Sequence, residues 1–209
     1  MNRGLFITFE GIDGCGKTTQ LDAVHILLKQ RGIDCVVTRE PGGTVIGRQI
    51  RSLLLAPEHA EMCDTCELLL YFADRAQHVR EVLQPALDRG CVVLSDRFAD
   101  ATLAYQGYGR NLSMEMLESQ NTLATGGLWP DRTFLFDIRI LTAAQRLRAT
   151  GKPIDRLEGS GEAFYERVRT GYLELARRSP QRIHVFNGEL SKEALTESVV
   201  ADILDMLPR

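Results

Sequence analysis

Gly11-Ile12-Asp13-Gly14-Cys15-Gly16-Lys17-Thr18, entered from the apolar run Leu5-Phe6-Ile7-Thr8-Phe9, is the stretch whose reading decides the fold. It matches G-x-x-x-x-G-K-[ST] in the context that this pattern needs, a strand before it and a helix after it. Gly11, Gly14 and Gly16 let the backbone turn until its N–H groups face inward around a polyphosphate. The helix starting at Lys17 adds the positive end of its dipole. Lys17 reaches the outer phosphates, and the Thr18 hydroxyl is placed to ligate Mg2+. With Ile12, Asp13, Cys15 and Thr19, these residues form the expected site for a nucleoside triphosphate.

The rest of the chain bounds what can be built around that loop. Its 209 residues, 44% hydrophobic, suffice for one buried core and are short for two. A net charge of −3 gives no general attraction to nucleic acid or acidic membranes, so an anion site must come from local clusters. No apolar run approaches the roughly 20 residues of a membrane span, and the N-terminus lacks a signal-peptide pattern. Five scattered cysteines fit the reduced thiols of a cytoplasmic protein. Cys63 and Cys66, with His59 upstream, have half the spacing of a zinc site. No second pair exists, and chance spacing at a helix start is the better reading.

Outward from the loop, apolar strand-like runs alternate with helical periodicity, which predicts an α/β fold of the P-loop NTPase type. Its three layers are a mainly parallel five-stranded sheet and flanking helices. The strands are read at Leu5–Phe9, Cys35–Thr38, Cys91–Ser95, Thr133–Phe136 and Ile183–Phe186. Helices are read from Lys17 to about Arg31, from a Thr44 cap to about Leu55, and from Asp64 to Arg89 with a kink at Pro85. Further helices follow at Ala99–Gln106, Ser113–Thr125, Leu141–Thr150, Glu162–Arg178 and Lys192–Met206, with Gly107–Arg110 as a break. The whole chain, 1–209, reads as one domain, with a mobile lid at about 150–161 between Gly151 and Gly161.

Ligands in such sheets gather beyond the carboxyl ends of the strands, which here carry Asp13, Arg39, Asp96-Arg97, Asp137 and Asn187. Asp96 closes an apolar strand, the position of a Mg2+ carboxylate in P-loop enzymes, although Asp there is often only a turn residue. Arg39, Arg48, Arg51, Arg75 and Arg97 form a second basic cluster that one triphosphate does not need. Guanidinium groups suit a phosphate dianion, although Arg48 fits a solvated face of an amphipathic helix equally well; two phosphate sites on one sheet imply phosphoryl transfer between two nucleotides. Phe72 and Arg75 share a helix face and fit either a base pocket or plain core. Thr102, Tyr105 and Gln106 also share a face and offer polar groups and a ring to a small ligand. In or beside the lid, Arg146, Arg148, Lys152 and Arg156 can neutralise charge on a transferred phosphoryl group.

At this point the chain resembles the thymidylate kinase (dTMP kinase) family of the bacterial type, nearly end to end. The resemblance rests on Phe9-Glu10-Gly11-Ile12-Asp13-Gly14-Cys15-Gly16-Lys17-Thr18-Thr19, Arg39-Glu40-Pro41-Gly42-Gly43-Thr44, Leu68–Gln77, Asp96-Arg97-Phe98, Ala104-Tyr105-Gln106-Gly107 and Asp155-Arg156-Leu157-Glu158. It implies transfer of the γ-phosphoryl of ATP to dTMP, giving dTDP and ADP in dTTP synthesis. The implied partners are ATP with Mg2+, dTMP and a second copy of the chain, with neither polymeric nucleic acid nor membrane. It further implies that Asp13 holds the 3′-hydroxyl of dTMP, that Phe72 stacks on thymine, and that Arg75 bonds a base carbonyl. Arg39 and Arg97, with Arg51 and Gln106 nearby, are implied at the monophosphate and its surroundings. Thr102 would face the base edge, and Tyr105 would pack where a 2′-hydroxyl would clash. Relatives carry a catalytic arginine in the P-loop or in the lid. Gly14 occupies the P-loop position here, so Arg156 and Arg148 are the lid candidates, beside Lys17 and Asp13 as catalytic groups. Thr18 and Asp96 are the implied Mg2+ ligands. Ala101 and Cys15 depart from the usual Ser and Ala.

Overall fold

A computed structural model describes residues 3–151, 156 and 161–207. Its strands are β1 (Phe6–Glu10), β2 (Cys35–Arg39), β3 (Val92–Asp96), β4 (Arg132–Asp137) and β5 (Ile183–Asn187). All pairings are parallel, in the order β2-β3-β1-β4-β5. The strand feeding the glycine loop is therefore central, and the strand order reverses beside it, where a ligand crevice opens. Each strand runs one residue beyond the end read from the apolar pattern, to Glu10, Arg39, Asp96, Asp137 and Asn187. Hydrophobicity marks the buried part of a strand, whereas the hydrogen-bond ladder admits the polar residue that follows.

The helices are α1 (Lys17–Gln30), α2 (Val45–Leu55), α3 (Asp64–His78), α4 (Gln84–Asp88), α5 (Ala99–Thr102), α6 (Met114–Thr125), α7 (Ile140–Ala149), α8 (Glu162–Arg178) and α9 (Lys192–Met206). Side chains on the two faces of the sheet enter two cores. Phe6 and Val93 join Leu83, Leu87 and Phe98 in one. Ile7, Phe9 and Phe134 join Leu21, Val24 and Leu28 of α1 and Val199 and Ile203 of α9 in the other. Each such burial contributes about 2 kcal/mol over exposure. Thr44 caps α2 as expected, its Oγ1 accepting the Gly47 N–H at 2.9 Å.

Two readings of helix continuity need correction. The stretch from Asp64 is not one continuous α-helix; a π turn over Val79–Leu83 separates α3 from α4, whose first turn holds Pro85. The wider turn relieves the clash of the ring with a carbonyl one turn back. Gly107–Arg110 is not a break, because a π segment, Leu103–Gly109, continues α5. Gly109 is there for space: a Cβ would meet Phe164 Cε2 of α8 at 2.6 Å. Among the described residues no helix is long and apolar enough to cross a membrane. Of the stretch read as a lid, Lys152, Asp155, Leu157 and Glu158 lie outside the described residues.

Candidate active site

The loop after β1 is shaped by its glycines and by α7. Gly14 has φ +82°, and a Cβ on it would meet Ala143 O at 2.5 Å. A side chain at this position, arginine included, is disfavoured by both backbone and space. Lys17 is buried, its Nζ 3.3 Å from Asp13 Oδ1. Thr18 Oγ1 donates to Asp96 Oδ2 at 2.5 Å, so the two expected Mg2+ ligands stand together beside the loop. Both present hard oxygens, the donor chemistry Mg2+ takes. Arg146 Nη1 donates to Gly188 O at 3.0 Å and to Cys15 O at 3.4 Å, which ties α7 to the loop. Arg148 is exposed on the wall of a second hollow that also includes Ile12, Asp13 and Tyr165.

Beside the loop lies a cleft of about 550 Å3, counting its open mouth. Arg97, just past β3, has a left-handed backbone at φ +71° that turns its side chain into the cleft. Its Nη2 donates to Asp13 Oδ1 at 2.7 Å and to Tyr105 OH at 2.9 Å, and its Nη1 donates to Tyr172 OH at 3.1 Å. Tyr105 OH in turn donates to Asp13 Oδ2 at 3.0 Å. Burial alone would raise the Asp13 carboxyl, but Arg97 and Lys17 outweigh it and hold the group well below the usual carboxylate range. Burial pushes Tyr105 far up, so its hydroxyl keeps the proton that it donates. Two cations and one anion thus share the wall between loop and cleft.

Arg75 is buried at the far end of the cleft. It donates to Glu40 Oε2 (2.8 Å), Thr102 Oγ1 (2.9 Å), Asn121 Oδ1 (2.6 Å) and Phe98 O (3.1 Å). These four bonds fix the plane of its guanidinium. Glu40 also bonds His78 Nδ1 at 2.8 Å, which holds α3 against the loop after β2. Thr102, Tyr105 and Gln106 all line the cleft, as does Ala101. Arg51 lines it too, its Nη1 donating to Pro41 O at 3.0 Å. Arg39 and Arg48 are exposed and line no part of it.

Three expected site residues are placed differently, Arg39 outside the cleft being one of them. Phe72 lies in the core, 7% exposed, with the Arg75 guanidinium 5.9 Å from its ring centre. Tyr71 lines the cleft in its place. Both spacings, three and four residues before Arg75, share a helix face with it, so periodicity alone does not choose between them. Arg156 does not face the P-loop: its Nη2 donates to Glu67 Oε2 of α3 at 2.5 Å and its Nε to Leu54 O of α2 at 2.8 Å. Sequence reasoning also assigned no role to Glu10 or Tyr172. Glu10 Oε1 accepts the Phe98 N–H, and Oε2 accepts from Tyr172 OH, both at 2.7 Å. Burial pushes the Glu10 carboxyl up to about 8, despite the opposing charge of Arg97. Cys63 stands at the start of α3.

A family model described as thymidylate kinase matches residues 9–199. A thymidylate kinase of an Exiguobacterium species is 48% identical over 204 residues, 98% of this chain and 96% of the relative. One from Desulfosudis oleivorans is 53% identical over 189 residues, 88% of each chain. The crystal structure of thymidylate kinase from Ehrlichia chaffeensis superposes with a TM-score of 0.77 at 32% identity, covering 97% of this chain and 99% of that one.

Proposed function

The chain belongs to the thymidylate kinase family, and from that premise we propose how its residues hold the two substrates. It is an ATP-dependent nucleoside monophosphate kinase that moves the γ-phosphoryl of ATP to dTMP, giving dTDP and ADP. The single observation that carries the substrate assignment is the Arg97–Asp13 pair at 2.7 Å, which makes the triphosphate loop and the cleft two sides of one wall.

In this reading the amides of Gly11 to Thr19 cradle the ATP phosphates, with Lys17 on the outer ones. The dTMP phosphate lies on Arg97 and Arg51. The sugar meets Asp13 and Tyr105. The base lies on Tyr71, with Arg75 and Thr102 at its edge, and Phe72 acts as core behind it. Thr18 and Asp96 would hold Mg2+, which when bound neutralises phosphate charge. Protein groups here bring two anions into line and offset their repulsion, which is most of what this chemistry asks. Arg148, which lines the second hollow together with Asp13, and Arg146, bonded to Cys15 O of the loop, are the arginines on the donor side. The chain works as a single domain in the cytoplasm, its five cysteines being free thiols.

Homodimer formation is supported by apolar residues left bare on α2, α3 and α6: Val45, Leu53, Leu69 and Leu123 are 60%, 45%, 58% and 77% exposed. A coupled ADP-release assay with ATP, Mg2+ and dTMP, AMP, GMP, CMP or UMP tests the substrate reading. It expects the highest kcat/KM for dTMP, and equal or better use of a purine monophosphate would contradict it.

A further inference from the structure

Arg97 and Asn111 are the non-glycine residues described with positive φ, and of the two only Arg97 lines the cleft. A left-handed backbone is unfavourable for arginine and persists where the surroundings hold it. Three bonds hold it here. The Arg97 N–H donates to Phe9 O at 3.1 Å, Ser95 Oγ donates to Arg97 O at 2.8 Å, and the next amide, Phe98 N–H, donates to Glu10 Oε1 at 2.7 Å. The last of these comes from a side chain 88 residues away.

Glu10 closes β1, is fully buried and lines no part of the cleft. Its other oxygen, Oε2, accepts from Tyr172 OH of α8 at 2.7 Å, and that hydroxyl accepts from Arg97 Nη1 at 3.1 Å. One carboxyl therefore reaches both ends of Arg97: the peptide that follows its Cα and, through a single hydroxyl, its guanidinium. Two oxygens on one planar group match two donors on two elements. Truncating that group leaves both donors buried without their partner, and both are one bond from Arg97.

We infer that Glu10 is a positioning residue for the acceptor phosphate, holding Arg97 in the backbone and side-chain setting that turns its guanidinium into the cleft. The inference rests on the substrate reading above, in which Arg97 receives the dTMP phosphate. Its test is calorimetric titration of the full chain with dTMP and, separately, with thymidine, which keeps base and sugar but lacks the phosphate. The variants are Glu10→Ala, Glu10→Gln, Tyr172→Phe, Arg97→Ala and the Glu10→Ala/Arg97→Ala double variant. Glu10→Ala is expected to raise the dTMP Kd about tenfold while the thymidine Kd moves less than about twofold. Tyr172→Phe cuts only the side-chain arm and should raise the dTMP Kd about threefold, again sparing thymidine; it carries the test if Glu10→Ala does not fold. Glu10→Gln, the isostere of the protonated carboxyl that burial favours, recovers most of the dTMP affinity. In the Arg97→Ala background, Glu10→Ala adds no further loss of dTMP binding. Equal losses toward dTMP and thymidine, as general damage to the fold would give, overturn the inference, and so do effects that multiply in the double variant. A wild type that does not bind dTMP, or an Arg97→Ala chain that binds it normally, brings down the substrate reading itself. An impaired Arg97→Ala chain beside unmoved Glu10 and Tyr172 variants sinks the positioning role alone.

Discussion

Asp13 and Arg97 carry the arrangement at the scale of single residues, because one ion pair joins the loop that grips the donor to the cleft that receives the acceptor. Arg97→Ala is expected to raise KM for dTMP at least tenfold, about 1.4 kcal/mol or more, with a smaller change in KM for ATP. Steady-state kinetics with each substrate varied in turn checks this. Tyr71 and Phe72 separate in the same way. Tyr71→Ala removes a stacking face worth about 1–3 kcal/mol and should weaken dTMP binding with little change in Tm. Phe72→Ala leaves a core cavity and should cost about 3–5 kcal/mol of stability, read by denaturant unfolding.

Glu10 gives a pH signature. Its folded pKa, about 8, lies above that of an exposed carboxyl, so the folded state binds a proton that the unfolded chain has lost. The group's contribution is fully present below about pH 4.5 and is lost as pH rises toward 8. Glu10→Gln should therefore flatten the fall in Tm between pH 5 and pH 8. A wild type and variant with parallel Tm curves would contradict that environment.

At the scale of elements, the loop and the helices packed on it act as one unit. Gly14 combines φ +82° with the Ala143 carbonyl 2.5 Å from where a Cβ would stand. Gly14→Ala is expected to weaken ADP binding in a titration, since the loop must shift to admit the methyl group. The elements were largely legible in the sequence because their signals are local. Continuous apolar runs mark β1 and β3, the Thr44 cap marks the start of α2, and α8 and α9 begin and end where the periodicity does. The π segment Leu103–Gly109 was not legible, because glycines that break a helix and glycines that let Phe164 approach one look alike in sequence.

At the scale of the molecule, what the sequence could not reveal is pairing over distance. Glu67 and Arg156 are 89 residues apart and Glu10 and Tyr172 are 162 apart, and no periodicity relates them. The P-loop and the strand-end residues were legible because one strand end places them together; the side chains that hold them in place come from elsewhere in the fold. The bare apolar faces of α2, α3 and α6 belong to this scale as well. Sedimentation should give a dimer, and Leu69→Glu should shift it toward monomer; a wild type that is monomeric at all concentrations would contradict the assignment of that face.

The central claim is that two anionic nucleotides meet across the Asp13–Arg97 wall, the donor on backbone amides and the acceptor on arginines. A crystal structure with dTMP and ADP bound together tests it most directly. The account predicts ADP phosphates in the loop from Gly11 to Thr18, the dTMP phosphate on Arg97 and thymine against Tyr71. A dTMP phosphate bound away from Arg97, or a cleft left empty at saturating dTMP, would contradict it.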